Sequence, residues 1–88
     1  MDQLEGKVAV ITGAGGGIGA GSARACAGAG MKVAVADIRQ TDAEGIRDEL
    51  VAGGADAIAV TTDVSKLTSV QALADEVEKA FSAVHLVC

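Results

Sequence analysis

Between Thr12 and Ala20 the chain carries five glycines, Gly13, Gly15, Gly16, Gly17 and Gly19, interrupted only by Ala14 and Ile18. Glycine reaches φ > 0 without strain and leaves no Cβ between its N–H and a ligand. A run of glycines can therefore wrap an anion in main-chain N–H groups. An apolar, largely β-branched run, Val8-Ala9-Val10-Ile11, comes before it, and a small-residue stretch readable as helix comes after. The first N–H groups of a helix have no partner within it, and its macrodipole favours an anion there by ~0.3–2 kcal/mol. Strand, glycine turn and helix N-terminus in that order can hold a phosphate. A run this rich in glycine is costly in folding entropy, which argues against a turn that binds nothing.

The dinucleotide pattern G-x-G-x-x-G/A fits at Gly15, Gly17 and Ala20, and Asp37 follows at about the ~20-residue offset expected of a ribose-binding acid. A carboxylate at Asp37 can accept from both ribose hydroxyls, at ~1.5–3 kcal/mol for each charge-assisted bond. A ribose 2′-phosphate there would meet like charge, which costs ~4 kcal/mol at 4 Å and an effective dielectric of 20. NAD is thus expected over NADP. Arg39, able to hold a 2′-phosphate, is the counter-argument, and no cation stands within the glycine turn to support it. Asp63 ends a third apolar run, Ala57–Thr61, on the same expected edge. Its carboxylate could meet the adenine amino group, with Val64 beside it, or it could equally serve as a turn or N-cap residue. Other phosphate loops fail on residue type. A P-loop needs Gly-Lys-Ser/Thr, and no lysine or arginine lies between Thr12 and Ala23.

These residues require alternating strands and helices. Strands are expected at Lys7–Thr12, Lys32–Ala36 and Ala57–Thr61, with a fourth beginning near Val84. The first helix should run from Ile18 to Ala29, with Ile18, Ser22 and Cys26 on one face. The second should open on a capping box, Thr41-Asp42-Ala43-Glu44, and stop at Gly53-Gly54. The third should bury Val70, Leu73, Val77 and Phe81 together with Ala74 and Ala80, with Ser65, Thr68 or Ser69 as its N-cap. This alternation predicts an α/β fold, a doubly wound parallel sheet of Rossmann type in order β-α-β-α-β-α-β.

Composition narrows the function further. With 88 residues, no proline and Phe81 the sole aromatic, the chain is at most one domain with a core of small side chains. The net charge of −5 and the scattered basic residues exclude a nucleic-acid footprint or an anionic membrane surface as partner. No apolar run reaches the ~20 residues of a membrane span. A cytoplasmic protein is expected, with Cys26 and Cys88 as thiols and no metal site. His85, the sole histidine, reads as a structural or surface residue, and Ser22 and Cys26 as packing residues.

Taken together, these motifs resemble the N-terminal part of a short-chain dehydrogenase/reductase. Thr12-Gly13-Ala14-Gly15-Gly16-Gly17-Ile18-Gly19 matches that family's T-G-x-x-x-G-x-G turn. Asp37 matches its NAD-selecting acid, and Asp63-Val64 its adenine-contacting pair. The resemblance implies an oxidoreductase that transfers hydride between NAD(H) and an alcohol or carbonyl substrate, and a homo-oligomer. Its cofactor residues would be Thr12, Gly13, Gly15, Gly16, Gly17, Ile18, Gly19, Asp37, Ile38, Asp63 and Val64. The family's catalytic Ser, Tyr-x-x-x-Lys and Asn find no counterpart, for the chain contains no tyrosine and no asparagine. No catalytic residue is therefore assigned. Residues 1–88 are expected to be an incomplete NAD-binding half-domain, inactive alone. The competing readings are a complete nucleotide-binding module without catalysis and an S-adenosylmethionine-binding Rossmann domain.

Overall fold

The computed structural model describes residues 4–14, 16–82 and 84–87. Its elements run β1 (Val8–Thr12), α1 (Gly17–Gly28), β2 (Lys32–Asp37), α2 (Gln40–Ala52), β3 (Ala57–Thr61), α3 (Leu67–Phe81) and β4 (Leu86–Val87). All pairings are parallel and the sheet order is β3-β2-β1-β4, as the alternation predicts. β1 is central and pairs from Val8 opposite Lys32 to Thr12 opposite Ala36.

Side-chain alternation divides β1 and β2 between two cores. Ala9, Ile11, Val33 and Val35 pack with Ala23, Ala43 and Leu50 beneath α1 and α2. Val8, Val10, Ala34 and Ala36 pack with Leu73 and Val77 beneath α3. Burial on both faces explains why these strands are continuously apolar. The chain winds outward from β1 to β3 with α1 and α2 on one face. It then crosses back over the other face, through α3, to β4 beside β1. The winding reverses between β1 and β4, and a crevice at the carboxyl ends of strands around such a reversal is where this architecture takes ligands.

Both α1 and α2 end in the same device. Gly30 (φ 84°) and Gly54 (φ 95°) take the left-handed conformation that closes a Schellman motif. The bonds are Met31 N–H to Cys26 C=O (3.1 Å) and Gly30 N–H to Ala27 C=O (3.0 Å), then Ala55 N–H to Leu50 C=O (3.0 Å) and Gly54 N–H to Val51 C=O (2.9 Å). Each helix is thereby turned directly into the next strand. Arg24 of α1 and Glu49 of α2 join the two helices by a bidentate pair at 2.6 and 3.0 Å.

Four expectations need correction. Thr41 does not cap α2, because that helix begins at Gln40 with Arg39 as N-cap and no side-chain cap bond. Ile18 does not share an inward face with Cys26. It is 91% exposed, and α1 meets the sheet through Ala20 and Ala23, whose small side chains let the helix approach closely. The buried face of α3 is narrower than expected. Leu73 and Val77 are buried and Phe81 partly so, while Val70, Ala74 and Ala80 are exposed. The N-cap of α3 is Lys66, without a side-chain bond. Among the described residues β4 spans only Leu86–Val87.

Candidate functional site

The site is built on loops at the carboxyl edge of the sheet. After β1, Gly13 turns the chain at φ 63° and its carbonyl accepts the Gly16 N–H at 3.1 Å. The first intrahelical bond of α1 runs from Ala20 N–H to Gly16 C=O at 2.7 Å. The N–H groups of Gly17, Ile18 and Gly19 therefore precede the helical ladder, as any first turn requires. α1 also has no acidic residue in its first turn to occupy that end. Gly15 lies outside the described residues, so the spacing anchored on it is not described in space.

Gly19 explains why the turn stays tight. A Cβ there would strike the Gly13 carbonyl oxygen and come within 2.7 Å of the Gly13 carbonyl carbon and 2.9 Å of Ala14 Cα. Helix and turn are closer than any side chain permits. Gly13, Gly16, Gly17 and Gly19 together form a cradle of bare backbone, closed at Gly19 and open beside Gly13 and Gly17, with room there for a pyrophosphate.

An open cleft of about 400 Å³ adjoins this turn, lined by Thr12, Gly13, Ala36, Asp37, Ile38, Thr62, Asp63 and Val64. It brings together the ends of all three long strands. Main-chain bonds join the loops: Ala14 N–H donates to Ala36 C=O at 3.2 Å, and Thr62 N–H to Asp37 C=O at 2.8 Å. Asp37 Oδ1 accepts the Arg39 N–H at 2.9 Å, which fixes the carboxylate at the cleft wall. Arg39 itself is directed toward Asp42, with Nη1 4.0 Å from Oδ2. Asp63 Oδ1 accepts from the Ser65 N–H and hydroxyl, and these bonds hold its carboxyl below the ordinary range. Ile18, Ile38 and Val64 are large apolar side chains at 91%, 63% and 65% exposure around this edge, surface that a planar ring could cover.

Thus Thr12, Gly13, Asp37, Ile38, Asp63 and Val64 meet at one cleft, with Gly16, Gly17, Ile18 and Gly19 on the adjoining turn. Residues that sequence reasoning missed are Ala36 and Thr62 in the lining, and Ser65 and Ser69 behind Asp63. The Asp-x-Ser spacing at Asp63 and Ser65 was the available signal, since a side-chain oxygen there closes a turn two residues on. His85 is structural. Its Nδ1 accepts the Val8 N–H at 2.9 Å and its own N–H donates to Val8 C=O at 3.0 Å. Cys26 packs against the α1 and α2 core and forms no disulfide among the described residues. A larger cleft of about 520 Å³ lies at the opposite edge, between the ends of α1 and α2, away from all these residues. No described helix is long and apolar enough to cross a membrane.

Comparison with known proteins gives consistent matches. A family model described as short chain dehydrogenase matches residues 7–88. A "Short chain dehydrogenase" of Claviceps purpurea is 37% identical over 87 residues, covering 98% of this chain and 33% of that protein. The solved structure of a short chain dehydrogenase/reductase from Burkholderia phymatum in complex with NAD superposes with TM-score 0.94 at 48% identity, over 99% of this chain and 31% of that one. A 3-ketoacyl-(acyl-carrier-protein) reductase from Brucella melitensis complexed with NADH superposes with TM-score 0.89 at 40% identity, over 96% and 34%. The chain spans about a third of the length of these proteins.

Proposed function

Because the chain belongs to the short-chain dehydrogenase family, we propose that it supplies the NAD-holding part of an oxidoreductase acting on an alcohol or carbonyl compound. The observation that carries this reading is the convergence of a glycine cradle, Asp37 and Asp63 on one edge of the sheet, where the winding reverses. Bound nicotinamide would give or take the hydride. The chain's own residues bind and orient. The N–H groups of Gly17, Ile18 and Gly19, with the α1 dipole behind them, hold the pyrophosphate. Thr12 and Gly13 shape its approach. The Asp37 carboxylate, fixed by the Arg39 N–H, accepts from the adenosine ribose hydroxyls. Asp63 and Val64 meet the adenine edge, with Ile38 as a second apolar wall. The two similar structures solved with NAD and NADH support a nicotinamide dinucleotide, and the charge of Asp37 favours the form without a 2′-phosphate.

Isothermal titration of the protein with NAD, NADP and S-adenosylmethionine tests this. Like-charge repulsion at Asp37 amounts to ~4 kcal/mol at 4 Å before exposure and salt reduce it. A preference for NAD of about tenfold or more is expected, since ~1.4 kcal/mol is a factor of ten. Asp37→Ser should bring NADP within about threefold of NAD. Equal binding of both dinucleotides by the unaltered protein, or selective binding of S-adenosylmethionine, overturns the reading. No hydride transfer is expected from residues 1–88 alone, which contain no tyrosine to serve as acid or base.

A further inference from the structure

The turn after β3 contains a brace that the proposed binding mode does not by itself require. Asp63 N–H donates to Ser69 Oγ at 2.8 Å, so the first turn of α3 fixes the main chain. Asp63 Oδ1 accepts the Ser65 N–H at 3.0 Å and the Ser65 hydroxyl at 2.6 Å, so the carboxylate is fixed as well. A further bond, Lys66 N–H to Asp63 C=O at 3.0 Å, closes the turn between them. With Oδ1 committed twice, the second carboxylate oxygen and the Val64 N–H remain. Neither has a hydrogen-bond partner among the described residues, and both belong to residues that line the cleft. An acceptor next to a donor complements a 6-aminopurine, whose amino group donates beside the N1 acceptor. It opposes a 6-oxopurine, which presents an acceptor beside an N1–H donor.

We propose that Ser65 and Ser69 are positioning residues for base selectivity, holding Asp63 and Val64 so that the cleft takes a 6-aminopurine and rejects a 6-oxopurine. The inference rests on the assignment of Asp63 and Val64 to the adenine. Neither serine touches the base. Each acts through Asp63, one through its side chain and the other through its backbone. A fixed donor and acceptor pair discriminates because the wrong base leaves polar groups unpaired, whereas a mobile carboxylate turns away and tolerates either.

The test is a ratio of affinities measured by titration calorimetry with NAD and with nicotinamide hypoxanthine dinucleotide, which differ only at the 6-position of the purine. The unaltered protein should bind NAD at least tenfold tighter. Ser65→Ala and Ser69→Ala should each reduce that ratio threefold or more, and Ser65→Thr, which keeps the hydroxyl, should restore it. In Ser65→Ala the Asp63 carboxyl, followed by NMR, should also titrate closer to the ordinary range. If both affinities fall together and the ratio is unchanged, the serines are merely structural and the proposal is overturned. If the unaltered protein does not discriminate, the adenine assignment falls and the proposal with it.

Discussion

Gly19→Ala adds a single methyl group at the most crowded backbone approach in the site. On an ordinary helix this change stabilises by ~0.5–1 kcal/mol, because glycine loses more chain entropy on folding. At Gly19 the sign reverses. The methyl would strike the Gly13 carbonyl oxygen and lie 2.7 and 2.9 Å from two further main-chain atoms. Main-chain atoms cannot rotate out of the way as a side chain can, so α1 must lift from the turn. Overpacking of this kind costs ~1–3 kcal/mol. At ~2 kcal/mol, and 4–8 °C per kcal/mol for a domain of this size, the melting temperature should fall by about 8–16 °C. Gly21→Ala is the matched control, in the same helix with nothing within 4 Å of the new Cβ. That variant should melt a few degrees higher than the unaltered protein.

The two variants separate packing from binding when NAD affinity is measured alongside melting. Lifting α1 moves the first-turn N–H groups away from the pyrophosphate, so Gly19→Ala should weaken NAD at least tenfold while Gly21→Ala leaves it unchanged. If Gly19→Ala matches Gly21→Ala in both measurements, the close approach of helix and turn is not what shapes the cradle, and the reasoning fails.

The Val8 and β4 contact should respond to His85→Ala, which removes the acceptor of the Val8 N–H. One hydrogen bond of net worth ~0.5–1.5 kcal/mol is lost, and hydrogen exchange at Val8 should quicken by about tenfold while amides within α2 are unaffected. Acid should loosen the molecule through two carboxyls. Glu49 is held low by its hydrogen bond to Arg24, and Asp63 by its bonds to Ser65. A carboxyl lowered on folding contributes above its unfolded value and loses that contribution as pH falls through its folded one. Melting temperature should therefore decline from about pH 4 downward. The Arg24→Gln, Ser65→Ala double variant should show a flatter decline, and an identical slope would refute this account.

The fold was legible because burial on both faces writes itself into β1 and β2 as unbroken apolar runs, and because Gly30 and Gly54 mark the ends of α1 and α2. That Asp37, Ile38, Asp63 and Val64 line one cleft was legible because they lie at or just beyond strand ends in a parallel sheet, which share one edge. What was not legible depended on which of several similar residues wins a local competition. Thr41 and Glu44 match a capping box, yet the N-cap of α2 is Arg39, two residues earlier, and the helix starts at Gln40. Ser69 was a candidate N-cap and instead accepts from Asp63 across the turn. Ile18 has the right spacing for a core face. The approach of α1 to the sheet through Ala20 and Ala23 turns it outward.

The loops of the site are joined through main-chain atoms, Ala14 to Ala36 and Asp37 to Thr62. Such bonds do not depend on which side chains the residues carry. The scaffold and the chemical preference of the cleft are therefore separable: Asp37 can be exchanged for a neutral or basic residue without cutting the bond from its carbonyl to Thr62. On the proposed binding mode, single substitutions at the ends of β2 and β3 would alter cofactor choice while these main-chain bonds stay in place. At Asp37 the part of the scaffold exposed to such a change is the side-chain bond to the Arg39 N–H.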